Sequence, residues 1–187
     1  MARTRQTETA VLGALSVMPM TGYAVREAIR DVLGHFWSES FGQIYPALSA
    51  LERQGHVDRE GKERTGSSVF VITPSGEGRL RELLAAPIQP APPRNGLLLR
   101  LFFGRQLGPE VCQSLLENAK ADAERRLTEF KAIRNQIAAD EATTADHLYW
   151  LLTVSAGEHG ARSVISWAEE SIATLLEQTP LPVDAHE

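Results

Sequence analysis

The chain has 187 residues, is 43% hydrophobic and carries a formal net charge of -5, so it can bury one or two cores but is no general nucleic-acid coat. No apolar run approaches the ~18 residues of a membrane helix, and Met1-Ala-Arg-Thr-Arg-Gln-Thr-Glu leads into a helical pattern rather than a cleavable leader; no membrane role and a cytoplasmic location are expected. The single cysteine, Cys112, excludes an internal disulfide and a Cys-rich metal site, and its context predicts a small core residue.

Charge is unevenly placed. Through residue 86, ten Lys and Arg face ten Asp and Glu; beyond it, nine face fourteen. All but three of the nineteen cations are Arg, which suits phosphate and base-edge contacts and permits DNA binding without diagnosing it.

In chain order, Ala10, Val11, Leu12, Ala14, Leu15 and Val17 predict a short apolar helix that ends before Pro19. Thr21 is placed to cap a second helix whose apolar residues run from Tyr23 to Val32, with Gly34 as its stop. Phe36 and Trp37 flank the following turn and read as a wedge between helices rather than as ligand-stacking aromatics. In a third helix, Phe41, Ile44, Leu48 and Leu51 form the buried stripe, and Gly55 closes it. The opposite stripe, from a possible cap at Ser40, presents Gln43, Pro46, Ala47, Ser49, Ala50 and Arg53, with Pro46 expected in the tolerant first turn. Small neutral side chains there would let a helix approach DNA bases closely. Two β-prone segments, from His56 and from Ser67, then form a hairpin with Gly61-Lys-Glu-Arg-Thr-Gly66 at its tip. Pro74-Ser75-Gly76 turns into a fourth helix with Leu80, Leu83 and Leu84 inward.

Three helices, a hairpin and a helix are the element order of a winged helix-turn-helix, and also of small protein-docking modules. The residues themselves resemble the PadR-type transcriptional regulators. The resemblance is carried by Thr21-Gly22-Tyr23, Phe36-Trp37, the run Gly42-Gln43-Ile44-Tyr45-Pro46-Ala47-Leu48-Ser49-Ala50-Leu51-Glu52-Arg53-Gln54-Gly55-His56-Val57, and Ile72-Thr73-Pro74-Ser75-Gly76, at fixed spacing over residues 11 to 84. It implies a DNA-binding surface made of Thr21, Tyr23, Ser40, Gln43, Tyr45, Pro46, Ser49, Arg53, Lys62, Arg64, Ser67 and Ser68. Gln43 is the candidate base reader, since its amide can pair with adenine, and Tyr45 the candidate phosphate contact. One departure matters: where the family's wing usually carries Gly-Arg-Pro and a further cation, this chain has Gly66-Ser67-Ser68, so wing contacts should be weaker and fall to Lys62, Arg64 and the two hydroxyls.

Four prolines between Pro87 and Pro93 mark the clearest boundary, giving a DNA-binding domain over 1-86, a stiff linker over 87-94 and a helical domain over 95-187. In the last, a short helix apolar nearly all round (Leu97 to Phe103) must be covered. A long helix is expected from Pro109 to about Ala139, with Leu116, Ala123, Leu127, Phe130 and Ile137 on its seam, and another from about Thr144 to Gln178. The latter shows a stripe of Tyr149, Ala156, Gly160 and Trp167 and a second face of Leu148, Leu151, Leu152, Ile165, Ile172, Leu175 and Leu176, more than one hairpin buries. A second copy of the chain is the expected partner, as the resemblance also implies.

The fold class expected is therefore α+β, mostly α: a winged helix-turn-helix followed by an all-α dimerisation domain with long helices. The resemblance further implies a homodimeric repressor on double-stranded pseudo-palindromic operator DNA, released by a small planar aromatic or phenolic effector near Phe102, Phe103, Tyr149, Trp150 and Trp167. The alternative is a docking or ligand-sequestering module without DNA binding. His147 and the Glu158-His159 pair stand too far apart along one helix to share a metal, and a solvated or capping role is expected of them. No catalytic motif is present in the sequence, so neither a cofactor nor an enzyme activity is expected.

Overall fold

The computed structural model describes residues 2–34, 36–37, 41–60, 68–88, 94–140 and 145–178, which divide into two units, Met1–Ala91 and Pro92–Glu187. The stretches 61–67, holding the hairpin tip, and 89–93, holding three of the four linker prolines, lie outside the described residues.

In the first unit, α1 (Ala2–Val17) starts well before its apolar run. Its polar turns are held by tertiary contacts that periodicity does not show: Thr7 is buried, and Glu8 pairs with Arg79 at 3.2 Å. Val11, Leu12 and Leu15 enter the core, and the helix stops ahead of Pro19. A strand absent from the expected pattern follows, β1 (Met20–Thr21), too short to show any alternation. Helix α2 (Gly22–Ala28) is capped by Thr21, whose hydroxyl accepts from the Ala24 N–H at 3.1 Å. It widens into a π-helical turn over Ile29–Leu33 and ends at Gly34, where any Cβ would strike the Arg30 carbonyl.

Helix α3 (Phe41–Arg53) buries Ile44, Leu48 and Leu51 completely or nearly so. Strands β2 (Val57–Glu60) and β3 (Val69–Ile72) form the expected hairpin, in register from Val57↔Ile72 to Glu60↔Val69. Because β1 pairs with the far edge of β3 (Met20↔Phe70, Thr21↔Val69), the antiparallel sheet has the order β1-β3-β2. Val57 and Phe70 face the core, while the Arg59 guanidinium lies 5.0 Å over the Phe70 ring and pairs with Glu52 at 3.0 Å.

Thr73 caps α4 (Pro74–Ala85) by accepting from the Gly76 N–H at 3.0 Å. Leu80 and Leu83 pack on the core, but Leu84, expected inward, is 66% exposed. Gly76, buried against the His56 carbonyl, sets the inward direction with Leu83, and at 100° per residue Leu84 points about 90° away from it.

In the second unit, Asn95 caps α5 (Gly96–Phe102) by accepting from the Leu97 and Leu98 N–H groups. Within this chain α5 buries no residue: Leu99 and Phe102 are 63% and 82% exposed. A 3-10 turn (Gly104–Gln106) leads to Gly108, whose φ of 81° sets the chain into α6 (Pro109–Ala139). Cys112 is buried, and its thiol is directed at the Gly104 carbonyl at 3.6 Å.

Helix α6 pairs with α7 (Asp146–Gln178), and 33 residues at 1.5 Å each make α7 about 50 Å long. Leu116, Ala123 and Phe130 form the expected seam of α6, whereas the face that α7 turns to it is Val154, Gly157, Ala161 and Ala168. The Phe130 ring ends on Gly157, so the opposing face has to be small. The two apolar faces expected of α7 are redistributed by this. Leu151, Ile165, Ile172 and Leu175 are half-buried, while Leu148, Tyr149, Leu152 and Leu176 remain about 60% exposed.

Glu158 corrects the sequence reading most sharply. It is neither solvated nor a cap: 5% exposed, it accepts from Arg134 of α6 at 2.8 Å and from Arg162 of its own helix at 2.9 Å. These two guanidinium groups, Arg134 first, hold its carboxyl below the usual carboxylate range. His159 lies beside the Ser155 carbonyl at 2.8 Å, and His147 packs 5.3 Å from the Trp150 ring and 3.4 Å from Asp140.

Candidate nucleic-acid interface

Helix α3 has two sides with different chemistry. Around the core line of Ile44, Leu48 and Leu51, the diametrically opposite line at 100° per residue is Gly42, Pro46, Ser49 and Arg53, within about 60° of arc. Gln43 and Tyr45 flank that line on either side. Gly42, Gln43, Tyr45, Pro46 and Arg53 are exposed, Ser49 and Ala50 half-buried. Ala47, read from sequence as outward, instead packs against the core.

Pro46 is the sixth residue of the helix, not in its first turn. Its missing N–H therefore costs a real helical bond, the one to the Gly42 carbonyl. The exposed face thus combines a polar, uncharged N-terminal half with a single cation, Arg53, at the C-terminal end of the helix.

Tyr45 is 49% exposed because one edge of its ring is seated on α2. A Cβ on Gly22 would lie 2.8 Å from Tyr45 Cε1 and 3.6 Å from Leu48 Cδ1, so the ring can occupy this position only over a glycine. Gly22 was not among the expected site residues; the Thr21-Gly22-Tyr23 tripeptide carried the signal, but contact with Tyr45 cannot be read from one strand of sequence. Tyr23 is 61% exposed with the Arg26 guanidinium 5.8 Å from its ring. Thr21 commits its hydroxyl oxygen to the α2 cap. Ser68 is half-buried beside β3, and Ser40, Lys62, Arg64 and Ser67 lie outside the described residues. The wedge expected of Phe36 and Trp37 holds for Trp37, packed on the core, and not for Phe36, 61% exposed.

The aromatics expected at an effector site do not converge. Trp167 lines a recess of about 540 Å³ in the helical unit, with Leu97, Leu98, Ala119, Arg126 and Val164 among its walls. Phe102 and Phe103 stack edge-on at 5.1 Å away from it, Tyr149 is largely exposed, and Trp150 packs on His147.

Comparison with known proteins identifies a domain in each unit. Residues 11–82 match the Transcriptional regulator PadR-like family, and residues 93–175 match Virulence activator alpha C-term. The chain carries a PadR-like domain followed by a C-terminal segment of the virulence-activator type. A relative in Bacillus subtilis, the negative transcriptional regulator PadR, is 23% identical, the match covering 89% of this chain and 95% of that protein. The crystal structure of B. subtilis PadR in complex with operator DNA shares the fold with a TM-score of 0.75, at 22% identity over 90% of this chain and 98% of the other. PadR in complex with p-coumaric acid gives 0.76 at 21% identity over 94% and 98%. The PadR-like winged helix with C-terminal helices is thus the fold of this chain. Among the described residues no helix is long and apolar enough to cross a membrane.

Proposed function

We propose that this chain is a sequence-specific, DNA-binding transcriptional repressor that acts as a homodimer on a pseudo-palindromic operator, its own promoter being the first candidate. The observation that carries the reading is the outward line of α3, exposed at Gly42, Pro46 and Arg53 and half-buried at Ser49, small-sided and uncharged up to Arg53, directly opposite the buried Ile44, Leu48 and Leu51. Such a surface fits the major groove without excluding itself by bulk or by carboxylates. In this reading Gln43 and Ser49 address base edges, Tyr45, Arg53, Lys62 and Arg64 address phosphates, and residues 1-86 bind DNA while 95-187 dimerise. The exposed Leu99, Phe102, Leu148 and Leu152 support the second part, since a large exposed apolar area marks an interaction surface. Such a protein needs no enzymatic chemistry, and its place is with the DNA in the cytoplasm.

The effector reading rests on Trp167 and Arg126, which would offer a stacking face and a guanidinium to a planar aromatic carboxylate, the class to which p-coumaric acid belongs.

Fluorescence anisotropy with a duplex from the region upstream of the coding sequence, against a random duplex of equal length at about 0.15 M salt, tests the DNA part. Preference for the upstream duplex is expected; equal affinity for both would overturn the repressor reading.

A further inference from the structure

Nothing among the described residues asks for a glycine at position 42. Its backbone is helical, and among the described residues the glycines that require positive φ are Gly55 and Gly108. Among the described residues, a Cβ added at Gly42 would meet no atom within 4 Å, in contrast to Gly22, which Tyr45 covers. Alanine would therefore fit and would favour the helix, since glycine in a helix is destabilising.

The neighbouring turn repeats the pattern. Pro46, four residues on and on the same exposed line, removes the N–H that would engage the Gly42 carbonyl and so also weakens α3. Two residues that weaken the helix occupy one side of it, at i and i+4, opposite the core. What they have in common is the surface they leave: no side chain at 42, a short apolar ring at 46, and a main-chain acceptor without its helical donor between them. Neither feature serves packing among the described residues, so the partner they suit is external.

We propose that Gly42 is a specificity-determining residue, the point at which the α3 backbone seats against the base edges of bound DNA. Its carbonyl accepts from an exocyclic amino group of adenine or cytosine, and the Pro46 ring supplies an apolar contact beside it. Gln43, on the flank of the helix, then reads a neighbouring base pair instead of the central one. The inference rests on the DNA-binding reading above and adds to it a position where the absence of a side chain is what is recognised.

The test uses the full chain and the variants Gly42→Ala and Pro46→Ala, with thermal unfolding measured beside anisotropy on the upstream and random duplexes. For Gly42→Ala the melting temperature should hold or rise, affinity for the upstream duplex should fall at least about tenfold, and affinity for the random duplex, set by phosphates, should change less than about twofold. Pro46→Ala, which restores the donor to the Gly42 carbonyl, should also raise the melting temperature and narrow the preference between the two duplexes. Unchanged or tighter binding of the upstream duplex by Gly42→Ala would overturn the proposal, as would an equal loss on both duplexes. Wild-type protein without preference between them would remove the repressor reading and this inference together. Preference kept by both wild type and Gly42→Ala would remove this inference alone.

Discussion

Placing a methyl group on Gly157 should change sign with the residue opposite it. An ideal Cβ there would lie 2.7 Å from Phe130 Cε2 and nearer still to Cζ and Cε1, against an ordinary contact of 3.4 Å or more. Phe130 is 7% exposed and cannot swing into water, so Gly157→Ala must spread α6 from α7 or force the ring off its rotamer. Overpacking of this kind costs ~1 to 3 kcal/mol, while replacing glycine by alanine inside a helix returns ~0.5 to 1 kcal/mol. The net expected is a loss of about 0 to 2.5 kcal/mol. In a Phe130→Leu background the ring is gone, and the same substitution should become neutral or stabilising by up to about 1 kcal/mol. The double-mutant cycle should therefore show a coupling of ~1 to 3 kcal/mol, read from urea midpoints of full-length proteins followed by far-ultraviolet circular dichroism. If Gly157→Ala stabilises the wild-type chain, or if the cycle closes with no coupling, the tight crossing of α6 and α7 at this point is wrong.

Gly22→Ala should displace the Tyr45 ring and weaken binding to the upstream duplex by ~1 kcal/mol or more, an effect that should largely vanish in a Tyr45→Ala background; anisotropy on the four proteins checks it. Gln43→Ala should lose ~1 to 3 kcal/mol of base discrimination, whereas Arg64→Ala should weaken all duplexes alike and flatten the salt slope by about one unit, both read from salt titrations. Because Glu158 titrates below its ordinary range when folded, its pairing with Arg134 and Arg162 stabilises the helical unit above the unfolded carboxylate's pKa and is lost as pH falls through the lower folded value; Glu158→Gln should lower the melting temperature at neutral pH and remove that part of the acid dependence. Arg126→Ala should weaken quenching of tryptophan fluorescence by phenolic acids without altering the melting temperature, and unaltered quenching would move the effector away from the Trp167 recess.

The helices of this chain were legible wherever one side of them meets a core at a steady period, as with Ile44, Leu48 and Leu51 or Leu116, Ala123 and Phe130. Three kinds of feature were not. The early turns of α1 are held by Thr7 and by Glu8 pairing with Arg79, seventy-one residues away, which no local pattern shows. A two-residue strand such as β1 has no periodicity to detect. Which face of α7 meets α6 depended on relative size, because Phe130 claims a glycine opposite and thereby turns Leu148 and Leu152 outward. At the interface the polar residues of α3 were readable from its pattern, but the role of Gly22 appeared only when α2 and α3 were placed side by side, and the aromatic set fell apart because Tyr149 and Trp167 share a helical stripe without sharing a recess.

Residues 20 to 22 concentrate three separate attachments in consecutive positions. Met20 and Thr21 hydrogen-bond to the wing through β3, the Thr21 hydroxyl starts α2, and Gly22 receives Tyr45 from α3. On the proposed DNA-binding reading, the tripeptide is a chassis and the outward line of α3 is the exchangeable part. Swapping side chains at 43, 49 and 53 leaves every one of those attachments in place. Exchanging the segment at 20 to 22 would disturb the hairpin, α2 and α3 at once, so a library that varies it should yield mostly unfolded members.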